Sequence, residues 1–398
     1  MFSFIHCADL HLGIMPEKNS IRFNDFFNAF FECISYAIIK KVDFIIVAGD
    51  MFHQKVINSK TLSLTVNILK KAKENNIDVL VIEGNHDRAF YIDEESWLVY
   101  LDKEGLIKLL CVNNNSGSLS ISKMVETDKY RVIGVGYLGG ATNKYIEEIK
   151  KLLPIDKKPN ILIMHAAIDK MINQNMGDIA SEDIKKLEHN CIYIALGHVH
   201  TKYEINDLVY NPGSLENLRT KDELSGQKGF YYVQVDEKTH AKNVEYIESK
   251  RRPIRYKKID CSIYKTPDDI LSYLDNISSN WQINEGDIIY LALNGVITFN
   301  PILIDVKMIK EFYEKKYMPL YIELVNNIND SNQFTDASEG VNLEEIEQKA
   351  IEDRISYLSP DTKDISLTAK TMQNLALKLL NGELNKDIFD NLMRKEDL

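Results

Sequence analysis

The sequence predicts an α/β fold in which helices pack against the faces of sheets. Through the first half of the chain, short apolar runs alternate with segments in which apolar residues recur every three or four positions. The runs are typical of buried strands, and the recurring pattern is typical of amphipathic helices. The composition agrees, because 44% hydrophobic and 27% charged residues among 398 suit a globular protein with a sizeable core.

Two helices and five strands are predicted in this first half. A helix is predicted over residues 22–41, where Phe23 and Phe27 begin a regularly spaced apolar face. A second is predicted over residues 59–75, with Ser59 as its N-cap. The candidate strands are Phe2 to Cys7, Phe44 to Ala48, Val79 to Ile82, Ile161 to Met164 and Cys191 to Leu196.

A smaller α/β unit is predicted after a change of pattern near Gly229. Strands over residues 230–235 and 244–247 would close the first domain. A basic run that contains one proline, residues 250–258, marks a boundary near residue 253. The elements predicted beyond it include a strand over 288–293, a helix over 305–316 and a strand over 320–325.

We therefore divide the chain into four parts. Asn, Ser, Asp and Gly enrich the segment that follows the smaller unit, which predicts a linker. Two helical stripes of apolar residues come after it, and two helices on a linker cannot bury both stripes alone. The predicted parts are the first domain over 1–250, a smaller domain over 251–326, the linker over 327–342 and a helical region over 343–398.

Charge disfavours a protein with an overall basic surface, and cysteine content indicates the redox compartment. The 59 acidic and 48 basic residues give a net charge of −11, so the chain lacks the basic coat of many nucleic-acid binders. The acidity is concentrated after residue 335, where 14 acidic residues face 8 basic ones. Five cysteines without a C-x-x-C pair indicate a reducing compartment. With no signal segment or membrane span in the sequence, we expect a cytoplasmic protein.

Polar motifs follow the predicted strands of the first domain. In an α/β sheet, the loops beyond the carboxyl ends of the strands converge on one crevice, so we expect these motifs to meet in space. They contribute seven candidate metal ligands: Asp9, His11, Asp50, Asn85, His165, His198 and His200.

This ligand set predicts a site for two divalent metal ions. Imidazoles and carboxylates with one amide oxygen and no cysteine suit Mn, Fe or Zn. Two ions about 3.5 to 4 Å apart need a shared anionic bridge, for which Asp50 is the natural candidate. One ion would take Asp9, His11, Asp50 and His200, and the other would take Asp50, Asn85, His165 and His198. Such a pair binds a phosphate ester and activates water.

Two residues beside the ligands are predicted to take part in catalysis. His86 follows Asn85 and would lie near the same phosphate, where it protonates the leaving group or stabilises the transition state. Asp87 is adjacent to His86 and would hold its ring in orientation.

Each motif also has a simpler explanation. The D-x-H of Asp9 and His11 would be a solvated loop, Gly49 with Asp50 would be a turn, and His165 would be a satisfied core histidine. The joint occurrence of these motifs, in order and at strand ends, favours the metal site.

The motif set resembles the signature of the calcineurin-like metallophosphoesterases, in which D-x-H, G-D, G-N-H-D, H and G-H-x-H occur in this order. Three longer segments resemble, more narrowly, the SbcD-type DNA double-strand-break repair nucleases of bacteria and archaea. They are HCADLHLG (His6 to Gly13), GDMFH (Gly49 to His53) and YNPGSLE (Tyr210 to Glu216). The resemblance is specific over residues 1 to about 220 and covers the domain layout to about residue 325.

The resemblance implies a fold and an activity. The fold would be a four-layer α/β sandwich with a small α/β capping domain and a C-terminal helical pair. The family uses two Mn²⁺ ions, with Mg²⁺ or another divalent metal as alternatives, and cuts DNA as a 3′ to 5′ exonuclease and single-strand endonuclease. For this chain it implies the ligands given above, His86 as the catalytic histidine that binds no metal, and His53 as a residue that positions the nucleotide.

Partners are also implied by the resemblance. The family acts as a homodimer, through helices that flank the second and third motifs, bound to an SMC-like coiled-coil ATPase of the SbcC type. Its two C-terminal helices dock on that ATPase. Residues 343–380 would then be a partner-binding pair, which explains how their apolar stripes are covered.

The basic junction has two interpretations. Phosphate contact would suit a DNA-binding capping domain, whereas a solvated hinge explains the same charges. His53 also has two interpretations: it positions the nucleotide, as the resemblance implies, or it is a histidine of a surface loop. The candidate phosphate contacts at the junction are Lys250, Arg251, Arg252 and Arg255.

Two rival functions remain open. A calcineurin-like phosphoesterase acting on a phosphoprotein, nucleotide or lipid would share the ligands, but a capping domain and a helical region favour a long polymer and a partner. A catalytically idle scaffold that only recruits an ATPase predicts missing ligands, and none of the expected ligand positions is missing.

Overall fold

Each apolar run predicted as a strand in the first half of the chain forms a strand, with its ends shifted by at most two residues. The structure is a computed structural model that describes residues 1–89, 95–169, 178–221 and 226–330, with the isolated positions 352, 366, 369 and 370. The first strands and helices are β1 (Phe2–Cys7), α1 (Ser20–Lys40), β2 (Phe44–Val47), α2 (Ser59–Glu74), β3 (Asp78–Val81), α3 (Trp97–Lys103), β4 (Lys108–Leu109), β5 (Cys111–Asn115), β6 (Ser118–Lys123), β7 (Val125–Glu126) and β8 (Arg131–Val135). They are followed by α4 (Ile146–Lys151), β9 (Asn160–His165), α5 (Ser181–Ile184), β10 (Tyr193–Gly197), β11 (Tyr203–Ile205), β12 (Val209–Asn211), β13 (Gly229–Val235) and β14 (Lys242–Glu248).

Two six-stranded sheets build the first of two units, Met1–Ile254. The first sheet has the order β14-β13-β1-β2-β3-β4, and β1 to β4 pair in parallel. The second has the order β11-β12-β10-β9-β8-β7, and β12, β10, β9 and β8 pair in parallel. The two strands expected after Gly229 form the antiparallel hairpin of β13 and β14, and β13 pairs antiparallel with β1. The predicted α/β class is therefore confirmed.

Aromatic side chains fill the space between the two sheets. Phe4 of β1 stacks on Phe44 of β2 with ring centroids 4.9 Å apart, and meets Tyr193 of β10 edge-on at 5.1 Å. All three side chains are buried in one apolar cluster. The outer face of the first sheet is covered by α1 and α2, and a further apolar cluster covers the outer face of the second. With both faces of each sheet covered, the loops at the strand ends are left to carry polar groups.

The second helix begins at Ser59, as predicted, but its N-cap is one residue earlier than the predicted cap. The N-cap is Asn58, whose side-chain oxygen accepts a hydrogen bond from the backbone N–H of Thr61 at 2.8 Å. The prediction of Ser59 as the N-cap was wrong, because the asparagine one position earlier already supplies the acceptor that the first helical turn needs.

In its described residues, the second unit, Arg255–Leu398, has a three-stranded sheet and two helices between residues 255 and 330. The elements from the boundary onward are β15 (Ile254–Asp260), α6 (Pro267–Asn280), β16 (Ile288–Ile297), α7 (Val306–Tyr317) and β17 (Tyr321–Asp330). The sheet order is β15-β16-β17, and β16 pairs in parallel with β17. The strand β17 continues to Asp330, so the linker does not begin at residue 327. The asparagines of this stretch extend the strand because their backbone pairs with the long strand β16, for example Asn327 opposite Asn294.

The predicted helical region over 343–398, including the partner-binding segment 343–380, lies outside the described residues except for four isolated positions. Those four positions, 352, 366, 369 and 370, are helical. None of the helices in the described ranges is long and apolar enough to cross a bilayer.

Candidate metal centre

Two loops that follow β1 and β2 hold each other by backbone hydrogen bonds. The N–H of Asp9 donates to the carbonyl of Gly49 at 3.1 Å, and the N–H of His11 donates to the carbonyl of Asp50 at 3.0 Å. Asp9, His11 and Asp50 have φ values of 52°, 45° and 50°, a region that non-glycine residues seldom occupy. The paired loops therefore stabilise an unusual backbone that brings three candidate ligands together.

Two glycines allow these loops to approach their neighbours. A Cβ atom at Gly49, where φ is +87°, would lie 2.3 Å from Nδ1 of His165. A Cβ atom at Gly84 would lie 2.1 Å from Oδ1 of Asp50. Any side chain at either position would displace a candidate ligand, which explains why glycine precedes both the aspartate and the Asn85-His86 pair.

Asp9, His11 and His200 form the first cluster of candidate metal ligands, with ligand atoms that all lie within 4.8 Å of one another. The Nε2 atoms of His11 and His200 are 3.1 Å apart. Asp9 is fully buried, and its two carboxylate oxygens accept the backbone N–H of His198 at 3.0 and 3.1 Å. The carboxylate thus ties the loop after β1 to the loop after β10.

Asp50, His165 and His198 form the second cluster, again with ligand atoms within 4.8 Å of one another. The amide oxygen of Asn85 faces this cluster, 3.2 Å from Nε2 of His165 and 3.1 Å from Nδ1 of His198. Nδ1 of His165 donates to the carbonyl of Ala48 at 2.8 Å, which leaves Nε2 as the ligand atom of that ring.

Asp50 lies between the two clusters. Its Oδ2 atom is 3.4 Å from Nε2 of His165 in the second cluster and 3.8 Å from Nε2 of His11 in the first. Its Oδ1 atom accepts the backbone N–H of His86 at 2.9 Å. One oxygen of this carboxylate is therefore held by the chain, while the other faces ligands of both clusters.

The buried acidic charge fits a site for divalent cations. Burial raises the pKa of Asp9 to about 7, opposed by His165 and reinforced by Asp50. Burial also disfavours the charge of Asp50, yet a hydrogen bond from His165 and the nearby imidazoles hold its pKa below the usual range. Burial lowers the pKa of His165, but its contact with Asp50 outweighs burial and raises that pKa to about 9. Two buried carboxylates surrounded by imidazoles and an amide oxygen are donors that Mn, Fe and Zn accept.

His86 lies beside the first cluster, and its orientation comes from an unexpected group. Nδ1 of His86 donates to the backbone carbonyl of His53 at 2.7 Å. The imidazole rings of His86 and His53 are stacked, with centroids 5.5 Å apart and an angle of 16° between their planes. The ring of His86 also meets that of His11 edge-on at 5.0 Å.

The sequence suggested that Asp87 holds the ring of His86, but in the structure its carboxylate contacts other groups. One of its oxygens accepts the backbone N–H of Phe52 at 3.0 Å, and the other accepts those of Met51 at 3.2 Å and Gly84 at 2.9 Å. The fully buried carboxylate therefore joins the loop after β2 to the loop after β3. The carboxylate thus positions the two loops by accepting hydrogen bonds from three of their backbone donors.

His11, His53 and His86 form a third convergent group. Nδ1 of His53 lies 3.3 Å from Nδ1 of His11, on the side of the His11 ring opposite its Nε2 atom. Within the described part of the chain this group includes no carboxylate. Three imidazoles without a carboxylate are less suited to a divalent cation than the two carboxylate-containing clusters, and the substrate-side roles of His53 and His86 stay predictions.

Two buried residues that the sequence did not single out hold the segment of His198 and His200. The side-chain amide of Asn211 donates to the carbonyls of Val199 and Thr201 at 2.7 and 2.8 Å. Nζ of Lys228 donates to the carbonyl of His200 at 2.5 Å. Three successive carbonyls are thereby satisfied by side chains. Asn211 lies in the YNPGSLE segment, so the resemblance of that segment could have pointed to this residue.

Asp178 is a third residue that the sequence did not indicate. It is buried, its Oδ2 atom accepts the backbone N–H of Ala167 at 3.0 Å, and the same oxygen lies 3.9 Å from Nε2 of His198. Since Nδ1 of His198 faces Asn85, the carboxylate lies on the far side of the imidazole ring. Carboxylates in this position orient metal-binding histidines.

The candidate DNA contacts of the basic junction are largely engaged with acidic side chains. Arg252 forms a two-point ion pair with Asp25, with Nε and NH2 at 2.9 and 3.0 Å from its oxygens. Nε of Arg255 lies 2.6 Å from Oδ2 of Asp287 within the second unit. Arg251 lies 3.6 Å from Glu248, whereas Lys250 is exposed. Phosphate contact by these residues stays a prediction.

Two covered sheets with a buried Asp, His and Asn site at the ends of their parallel strands define a metal-dependent phosphoesterase. A sequence model of the calcineurin-like phosphoesterases matches residues 2–202, and the chain belongs to this family. The family membership inferred from the motifs is thereby confirmed.

Similar proteins include several archaeal relatives named DNA double-strand break repair protein Mre11. The relative from Archaeoglobus fulgidus is 28% identical over 253 residues, 58% of this chain and 56% of that protein. The relative from Saccharolobus solfataricus is 25% identical over 333 residues, 80% of each chain. The relative from Methanocaldococcus jannaschii is 30% identical over 242 residues, 58% of this chain and 62% of that protein. The chain thus spans little more than half of the first of these relatives.

A structure of a dimetal phosphatase from Danio rerio is also similar, with a TM-score of 0.37 and 10% identity over 63% of this chain and 99% of that one.

Proposed function

We propose that this protein is a Mn²⁺-dependent DNA nuclease that acts as a 3′ to 5′ exonuclease and single-strand endonuclease in double-strand-break repair. The observation that carries the proposal is the position of Asp50, whose Oδ2 atom faces ligands of both clusters while His86 lies at their edge. The names of the archaeal relatives support DNA as the substrate.

The residues of the two clusters have distinct tasks in this proposal. Divalent cations bound there supply a nucleophile at neutral pH and neutralise phosphate charge. Asp9, His11, Asp50 and His200 would hold one cation, and Asp50, Asn85, His165 and His198 the other. The hydrogen bond that Ala48 accepts from His165 keeps the Nε2 lone pair of that ring toward the site.

His86 is the proposed catalytic residue. With Nδ1 donating to the carbonyl of His53, the ring presents Nε2 to the substrate. From there Nε2 gives a proton to the leaving oxygen or stabilises the transition state by a hydrogen bond. The stacked ring of His53 borders the same space and would orient the nucleotide.

The proposal extends to partners. DNA is the substrate, and contact by Lys250, Arg251, Arg252 and Arg255 would add phosphate binding outside the metal centre. We also propose a homodimer and a complex with an SMC-like coiled-coil ATPase that residues 343–380 bind. A cytoplasmic location is consistent with these partners.

DNA cleavage by purified protein tests the function. Labelled linear and hairpin DNA are incubated with Mn²⁺, Mg²⁺ or a chelator, beside Asp50→Ala, His86→Ala and Lys157→Ala as a matched surface control. We expect Mn²⁺-dependent cutting that both site variants lose and Lys157→Ala keeps. Cutting by Asp50→Ala, or no cutting with any metal, would contradict the proposal. Cleavage of an aryl phosphate ester without any cleavage of DNA would favour a phosphoesterase with another substrate.

A further inference from the structure

An exposed arginine lies on an aromatic ring at the edge of the metal centre. The guanidinium carbon of Arg88 is 5.5 Å from the centre of the Tyr137 ring. That ring in turn lies against two ligands of the second cluster, with centroids 5.2 Å from His198 and 5.9 Å from His165. The ring of Tyr137 therefore lies between Arg88 and the second cluster.

The backbone fixes Tyr137 relative to the motif that contains Asn85 and His86. The N–H of Tyr137 donates to the carbonyl of Glu83 at 2.9 Å, immediately before that motif. A Cβ atom at Gly136 would lie 3.1 Å from the same carbonyl oxygen, so the two loops are closely packed. The backbone of Tyr137 is thus held to the loop that carries the motif, and its ring packs against His198 and His165.

The surroundings of the Arg88 guanidinium differ from those of the other arginines discussed above. Arg251, Arg252 and Arg255 each have a carboxylate within 4.0 Å. Across the described ranges no carboxylate lies within that distance of Arg88, and its partner there is the Tyr137 ring. A guanidinium on an aromatic face keeps the N–H groups at its edge available for a phosphate.

We propose that Arg88, supported by Tyr137, binds the phosphate next to the one that is cleaved, on the side of the site formed by His165 and His198. The inference rests on the proposed function, because it requires a substrate with more than one phosphate along a chain. Arg88 is a substrate-binding residue in this account, and Tyr137 is a positioning residue. A small phosphodiester offers Arg88 nothing to bind, whereas DNA does.

Comparison of two substrates tests the inference. Hydrolysis of bis(p-nitrophenyl) phosphate, which has a single phosphate, is compared with cleavage of a single-stranded oligonucleotide for wild type, Arg88→Ala and Lys157→Ala. The control removes the same charge from an exposed position just before β9, at the opposite edge of the sheet. We expect Arg88→Ala to lose about tenfold more kcat/KM on the oligonucleotide than on the ester, mainly through KM. Equal losses on both substrates would overturn the inference.

A chemically altered oligonucleotide identifies the phosphate involved. Replacing one linkage beside the cleavage site by a neutral methylphosphonate should weaken cleavage by wild type but not weaken Arg88→Ala further. Tyr137→Phe should behave as wild type, and Tyr137→Leu should behave as Arg88→Ala. Additive losses from the methylphosphonate and Arg88→Ala, at each neighbouring linkage tested, would contradict the assignment.

Binding measured in a chelator separates this role from any effect on metal binding. The slope of log Kd against log salt for the oligonucleotide should fall by about one for Arg88→Ala, and stay unchanged for Tyr137→Phe. An unchanged slope for Arg88→Ala would overturn the inference even if wild type cuts DNA. Wild type that hydrolyses the ester but neither binds nor cuts DNA would overturn the proposed function as well.

Discussion

The backbone carbonyl of His53 accepts a hydrogen bond from Nδ1 of His86 at 2.7 Å, and this bond leaves Nε2 as the nitrogen of His86 that would face the proposed substrate. Because the acceptor is a backbone atom, it is present whatever side chain occupies position 53. The imidazole of His53 is a separate contribution, which stacks on His86 and lies 3.3 Å from Nδ1 of His11.

We therefore expect unequal losses from the two histidines. His86→Ala should lower the rate of cleavage by about a hundredfold or more, because it removes the proposed catalytic imidazole itself. His53→Ala should lower it by about tenfold, since the carbonyl that orients His86 remains. Single-turnover rates on the same oligonucleotide check this. Equal losses for the two variants would show that the His53 ring, not its carbonyl, orients His86.

Removal of the shared carboxylate should affect both clusters. Asp50→Asn is expected to weaken Mn²⁺ binding at both sites by more than about tenfold, because Oδ2 of Asp50 faces ligands of each. Asp9→Asn should weaken mainly the first site. Calorimetric titration with Mn²⁺ gives the number and affinity of the sites. Retention of one site at wild-type affinity in Asp50→Asn would contradict a shared ligand.

Asp87 should matter for stability more than for proton transfer. Asp87→Ala leaves the buried N–H groups of Met51, Phe52 and Gly84 without their acceptor, and we expect a loss of about 3 kcal/mol in the free energy of unfolding. Urea unfolding measures this loss. Asp128→Ala, in an exposed turn, is the control and should change stability little. If Asp87→Ala is as stable as wild type, the carboxylate does not join the two loops as proposed.

Asn211 should influence metal affinity without being a ligand. Asn211→Ala frees the carbonyls on either side of His200, so we expect Mn²⁺ affinity to fall by about tenfold. Asn190→Ala is a matched control, because the amide of Asn190 donates to the carbonyl of Leu153 at 3.0 Å in a buried place, away from the ligands. If both variants lose affinity alike, the effect is general destabilisation rather than ligand positioning.

The C-terminal region should be separable from catalysis. Deletion of residues 340–398 is expected to abolish co-purification with a coiled-coil ATPase while Mn²⁺-dependent DNA cleavage persists. The first unit, Met1–Ile254, contains all seven candidate ligands and both covered sheets, which is the reason to expect cleavage without the tail. Undiminished co-purification after the deletion would refute the partner assignment.

The sequence by itself determined the central strands of both sheets, the helices α1 and α2 and the set of candidate ligands. Apolar runs and helical spacing depend on neighbouring residues, so they predicted β1, β2, β3, β9 and β10 to within two residues. Polar motifs end these strands, and parallel strands share one edge of a sheet. The convergence of Asp9, Asp50 and His165 therefore followed from the order of the residues alone.

Only the tertiary structure decided which groups satisfy the buried polar atoms around those ligands. Adjacency suggested that Asp87 orients His86, but the fold turns this carboxylate toward three backbone donors and gives His86 the carbonyl of His53. Asn211 and Lys228 hold the segment of His200 from positions distant along the chain. A buried donor takes whichever acceptor packing brings within about 3 Å, and local sequence patterns do not contain that information.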